Sequence, residues 1–126
     1  MKNLIILITV LISYNLNAQC SNSLIDGTWV GMGDQLNTAE SWSIQLDIKG
    51  DNYTILYPSL NCSAELTLKK IEGNIITLKE KINSGKDHCV NNGNVELELI
   101  NSNTIRYKWS FSNGDPGSFS ELIKFN

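Results

Sequence analysis

Across 126 residues, ten Lys and Arg stand against thirteen Asp and Glu, a formal charge of −3, and 41% of the side chains are hydrophobic. That is the composition of one ordinary globular domain. Apart from Lys69-Lys70 and the Lys79/Lys81 pair the cations are scattered, which excludes the clustered basic surface that nucleic acid or an anionic membrane demands.

The chain opens with Lys2, an apolar run over residues 4–12 and then Leu16-Asn17-Ala18. A basic start, a hydrophobic centre and a small residue at the cut predict a signal peptide over residues 1–18. The run is far short of the ~20 residues a membrane span needs, and no second such stretch follows. The expectation is therefore a domain over residues 19–126 that is exported, periplasmic or secreted, and not transmembrane. Cys20, two residues past the cut, is either a free thiol or a lipid-modified anchor.

Beyond the leader the pattern is alternation, the mark of half-buried strands. The first strand is expected over residues 25–32 and contains Gly27-Thr28-Trp29. In the second, Trp42, Ile44, Leu46 and Ile48 share one face and Ser41, Ser43, Gln45 and Asp47 the other. Gly50-Asp51-Asn52 turns it. The third runs over residues 53–58, where Pro58 removes a ladder donor, and a short loop carries Cys62. The fourth, residues 64–71, points Ala64, Leu66 and Leu68 inward. The turn at Glu72-Gly73-Asn74 leads to the fifth, residues 75–82, with Ile76, Leu78 and Ile82 on one side. The sixth sets Val95, Leu97 and Leu99 against Glu96 and Glu98. The seventh, after Asn101-Ser102-Asn103, sets Ile105, Tyr107, Trp109 and Phe111 against Arg106 and Lys108. A longer turn over residues 113–117 precedes the eighth, residues 119–125.

Eight consecutive strands with one apolar face each predict an all-β, up-and-down antiparallel barrel; a two-sheet sandwich fits the same pattern. The links sort by parity. The three tight ones lie at one end, the base. The longer ones, over residues 33–40, 59–63, 83–94 and 113–117, lie at the other, the mouth. Cys62 and Cys89 fall in two mouth links, so the topology brings them to the same end, as a disulfide requires. An oxidising compartment favours that pairing, with Cys20 left over.

The opening Gly27-Thr28-Trp29 resembles the Gly-x-Trp start of calycin barrels, the lipocalins and their relatives. That resemblance implies Trp29 closing the barrel base beside a basic side chain on the last strand, the place of Lys124. A longer pattern is similar to a small secreted bacterial domain: Gly27-Thr28-Trp29-x-Gly31, then Tyr57-Pro58-Ser59-Leu60-x-Cys62, then Glu80-x-Ile82 with Gly85 and Cys89, then Tyr107-x-Trp109. The same domain forms the extracellular tail of some actinobacterial serine/threonine kinases, from which this chain differs in following its own leader. The likeness implies an exported sensory or binding module and carries no activity.

Chemistry-bearing residues are few. His88 is the single histidine. A zinc site needs three or four ligands, and Cys89 is better used in the disulfide, so neither metal nor cofactor is expected. A small hydrolase using His88 with a nearby acid is the enzymatic alternative to a non-catalytic binding module. Glu80 falls on the apolar face of its strand, near the mouth, and a buried carboxylate needs partners. It is either structural or the acid of a pocket rimmed by Trp42, Tyr57, Trp109 and Phe111. The ligand is a small molecule or a protein, as for lysozyme inhibitors of similar size; the oligomeric state is open.

Overall fold

Gly27, with a φ of 137° that favours glycine, is where the barrel begins. Ahead of it Asn22–Ile25 forms one helical turn, α1. In the computed structural model, which describes residues 22–126, eight strands follow: β1 Gly27–Gln35, β2 Ser41–Lys49, β3 Asn52–Tyr57, β4 Cys62–Glu72, β5 Ile75–Ser84, β6 Asn94–Asn101, β7 Thr104–Ser110 and β8 Pro116–Lys124. Each pairs with the next, and β8 returns to β1, so the sheet closes into an up-and-down barrel. Trp29 pairs with Lys124, Val30 with Ile123, Asp34 with Phe119 and Gln35 with Ser118 across the seam. Closure selects the barrel over the sandwich because it leaves no sheet edge exposed. The leader over residues 1–18, and Cys20 with its lipid-anchor alternative, lie outside the described residues. Among the described residues no helix is long and apolar enough to cross a membrane.

The alternating residues fill the interior as expected. Ile44, Leu46 and Ile48 of β2, Tyr53, Ile55 and Tyr57 of β3, Ile76, Leu78 and Ile82 of β5, and Val95 and Leu97 of β6 are all buried. β1 and β8 contribute small residues instead. Gly31 and Gly33 share Trp29's face of β1. A Cβ on Gly31 would come within 2.6 Å of the Glu121 carbonyl oxygen and 2.8 Å of Leu122. Ser118, Ser120 and Leu122 are the inward residues of β8. A small barrel fills its own interior, and this seam of small side chains leaves room among the large aromatics.

Six expectations need correcting. Phe111, expected on the inward face of the seventh strand, lies past the end of β7 at Ser110 and is 37% exposed. α1 holds Ile25, which was placed in the first strand; Ile25 is buried. β1 runs on to Gln35, so the first mouth loop shrinks to residues 36–40. Cys62 opens β4 rather than sitting in a loop. A 3₁₀ turn at Pro58–Leu60 with Asn61 at φ 56° reverses the chain so tightly that pairing resumes at Tyr57–Cys62. Leu68 is 36% exposed, not core, because the register shifts between Leu68 and Lys70 where the β4–β5 hairpin outruns the barrel. β8 begins at Pro116, ahead of residue 119, and its Phe119 faces outward.

The base is sealed by Trp29. The side chain is fully buried, its indole N–H donates to the Ile25 carbonyl at 2.9 Å, and Lys124 Nζ lies 5.5 Å from the ring centroid. The indole thus caps one end of the core while its polar edge is satisfied by the helical turn and its face by a cation.

At the mouth Cys62 and Cys89 are bonded across a Cα–Cα distance of 6.6 Å and a separation of 27 residues. Gly85 lies against this bridge with φ 93°; a Cβ there would come within 2.6 Å of Cys62 Sγ. Closing a loop of this length removes about 3.5 kcal/mol of unfolded-state entropy. The double variant Cys62→Ser/Cys89→Ser should therefore lose about 3 kcal/mol in urea denaturation, and reductant should shift the parent's midpoint but not the variant's.

Candidate functional site

β5 and β6 part company at the mouth. Their ladder ends at Lys79–Asn94. Beyond it the loop over residues 85–93 takes the place of the missing strand. The Glu80 N–H donates to the Gly93 carbonyl at 2.8 Å, and the Ile82 N–H to Asn91 Oδ1 at 2.8 Å. Glu80 is the first residue of β5 past the fork, and the alternation that sends Ile76 and Leu78 inward sends it inward too. Its side chain is 1% exposed.

The carboxylate is met by donors from two other strands. Tyr57 of β3 donates its hydroxyl to Oε2 at 2.5 Å, and Trp109 of β7 its indole N–H to Oε1 at 2.9 Å. The Tyr107 hydroxyl lies 2.8 Å from that of Tyr57. With the Tyr57 proton committed to Glu80, Tyr107 is the donor in that pair. The chain therefore runs Tyr107 to Tyr57 to Glu80. Burial pushes both phenols well above the usual tyrosine range, with Tyr107 and Glu80 adding to it at Tyr57 and Glu80 at Tyr107. They remain donors at any ordinary pH. Burial also raises the Glu80 carboxyl, against the opposing pull of the Tyr57 and Trp109 hydrogen bonds.

Trp109 is held in place by what is missing beside it. A Cβ on Gly93 or on Gly117 would collide with the indole, so these two glycines form the slot in which the ring stands. Phe111 packs edge-on against it, centroids 4.8 Å apart at 77°.

Above this group lies a cavity of about 260 Å³. Glu80, Tyr57, Tyr107 and Trp109 line it below, and Trp42, Phe111, Leu60 and Val90 nearer the rim. The structure thus brings together all five residues singled out from the sequence, Trp42, Tyr57, Glu80, Trp109 and Phe111. Tyr107 was read only as a core residue, although a polar-tipped aromatic two places from Trp109 on the same face was a signal for it. Gly93 and Gly117 carried no signal in one dimension. A larger depression of about 430 Å³ lies on the outer wall beside Thr77, Glu96, Lys108 and Phe119. Neither of its charged side chains is buried; they form a pair at 4.0 Å. The mouth cavity is the better candidate because it holds the buried carboxylate.

His88 stands at the cavity edge with both ring nitrogens engaged, Nδ1 at 2.8 Å from Asp87 Oδ1 and Nε2 at 2.9 Å from the Leu60 carbonyl. Neither nitrogen is turned to a serine hydroxyl. Cys62, His88 and Cys89 have their ligand atoms within 4.8 Å of one another, but both sulfurs are spent in the disulfide.

Comparison of the chain with protein-family models, with curated proteins and with solved structures returns no match. The class of protein is the one the fold defines: a closed, eight-stranded antiparallel barrel with one disulfide at its mouth.

Two outcomes follow from the hydrogen-bond chain and the histidine. Tyr57→Phe removes one of Glu80's donors and strands the Tyr107 hydroxyl, so it should cost about 1–3 kcal/mol in urea denaturation. Tyr107→Phe, which leaves the carboxylate's contacts intact, should cost less. For His88, the Asp87 contact and then the Leu60 carbonyl raise the imidazole above its ordinary value. A raised folded value means that this stabilisation is full below the unfolded value of ~6.5 and is lost as pH rises through the folded one. The urea midpoint should therefore fall across that window in the parent, and His88→Ala should remove this component.

Proposed function

We propose that the protein is an exported binding module whose mouth cavity takes a small ligand. The observation that carries this reading is the cavity itself: an open-mouthed, aromatic-lined space with a few convergent polar groups at its floor, the usual make-up of a ligand site. A cleavable leader and a disulfide both fit an oxidising compartment outside the cytoplasm. The closed eight-stranded barrel, with Trp29 under Lys124 at its base, supports a calycin-like, lipocalin-like kinship. The bridge ties the mouth loop that carries Cys89 to the start of β4 and lowers the ordering cost of binding.

A non-catalytic role fits the side chains. His88 is held by Asp87 and a backbone carbonyl, and Glu80 by donors that fix it rather than free it for proton transfer. A second reading, in which the mouth loops grip a protein as lysozyme inhibitors do, is favoured by the exposed apolar rim of Leu60, Val90 and Phe111.

Native mass spectrometry of the protein isolated from its own host should show a retained small molecule. Trp42→Ala and Phe111→Ala should each weaken that ligand by more than ~1 kcal/mol, with circular dichroism unchanged, while Ser102→Ala in a base turn should leave it alone. A ligand insensitive to both rim changes would remove the site from the mouth.

A further inference from the structure

Two of the three ionisable side chains other than tyrosine and cysteine that line the mouth are carboxylates. Among the described residues the cavity is lined by no Lys or Arg; its charged side chains are Glu80 on the floor, Glu40 nearer the opening and His88 at the edge. His88 is no counter-ion for Glu80, since its ring is turned to Asp87 and to the Leu60 carbonyl. Among the described residues the hydrogen-bond donors to the Glu80 carboxylate are both neutral, Tyr57 and Trp109, one to each oxygen. A carboxylate oxygen has room for two. An ionised carboxylate away from water and without a cation is costly, and a bound positive charge removes much of that cost.

The walls suit the same kind of guest. Trp109 and Phe111 meet edge to face and form an aromatic corner, and Trp42 lines the cavity with them. Aromatic faces attract a cation through their quadrupole, most strongly in a desolvated site. The volume of about 260 Å³ lies below the ~300–1,000 Å³ of pockets for drug-sized ligands, so the guest is small.

We propose that this cavity recognises a small organic cation, an ammonium group on a compact apolar body, with Glu80 as its counter-charge and Trp42, Trp109 and Phe111 as its aromatic wall. The proposal rests on the binding-module reading and deepens it.

Isothermal titration calorimetry of the mature, oxidised protein tests it. The probes are choline, its uncharged isostere with carbon in place of the quaternary nitrogen, and tert-butylacetate as the anion. Choline should bind at least about ten-fold tighter than the isostere, and the anion should not bind. Glu80→Gln should cut the preference several-fold while the isostere's affinity holds. Trp42→Ala, which leaves the Glu80 hydrogen bonds intact, should weaken choline more than the isostere, and it decides the matter if the Glu80 variant fails to fold. An isostere that binds as tightly as choline, or an anion that binds better, overturns the cation proposal and leaves the binding module standing. Saturable binding of none of the three at millimolar concentration also overturns it; the binding module then stands or falls on the ligand retained in the host-isolated protein.

Discussion

A carboxylate taken out of water must be answered by donors, and in this barrel the answer ties the upper half together. Glu80 draws Tyr57 from β3 and Trp109 from β7 onto its two oxygens, and Tyr57 in turn draws Tyr107. Three strands that are not sheet neighbours are thereby cross-linked through the interior, above the apolar core. Removing Tyr57 or Trp109 leaves a buried charge short of a partner, which costs more than an ordinary hydrogen bond returns. The same demand fixes the indole, and the indole requires glycine at residues 93 and 117.

The two ends of the barrel solve different problems. The base is closed by packing: Ile25 and Trp29 plug it, the helical turn satisfies the indole, and Lys124 sits over the ring. The mouth is closed by covalent and polar links, because β5 and β6 separate there and a loop has to act as wall. That loop is tied at Gly93 and Asn91 to β5, at Cys89 to β4 and at His88 to the turn after β3. A wall built from a pinned loop keeps its shape while its inner face stays free to carry recognition.

Much of this was legible in one dimension. Alternation has a period of two and reports a one-sided strand wherever it occurs, which is why all eight strands, their order and the inward faces from Trp42 to Trp109 could be read. Parity alone then brought Cys62 and Cys89 to one end. The same rule turned Glu80 inward and gathered Tyr57 and Trp109 around it, whereas Phe111 reaches the rim from beyond the end of β7. Where the reading failed, a local geometry had broken the period. The bulge at Leu68–Lys70 released Leu68, and the left-handed Asn61 let β4 start at Cys62.

What the sequence determined by itself is the set of faces: strand count, parity and the end of the molecule at which each loop lies, all consequences of a backbone that sends successive side chains to opposite sides. What only the tertiary structure decided is the partnership. Whether the sheet closes, which donors reach Glu80, that Tyr107 completes the chain, and that Gly93 and Gly117 are the slot for Trp109 depend on contacts between residues far apart in the chain. The farthest of these, the pairs that close the sheet, join residues as distant along the chain as Trp29 and Lys124; they are set by strand register and barrel curvature, and no pattern along the chain encodes them locally.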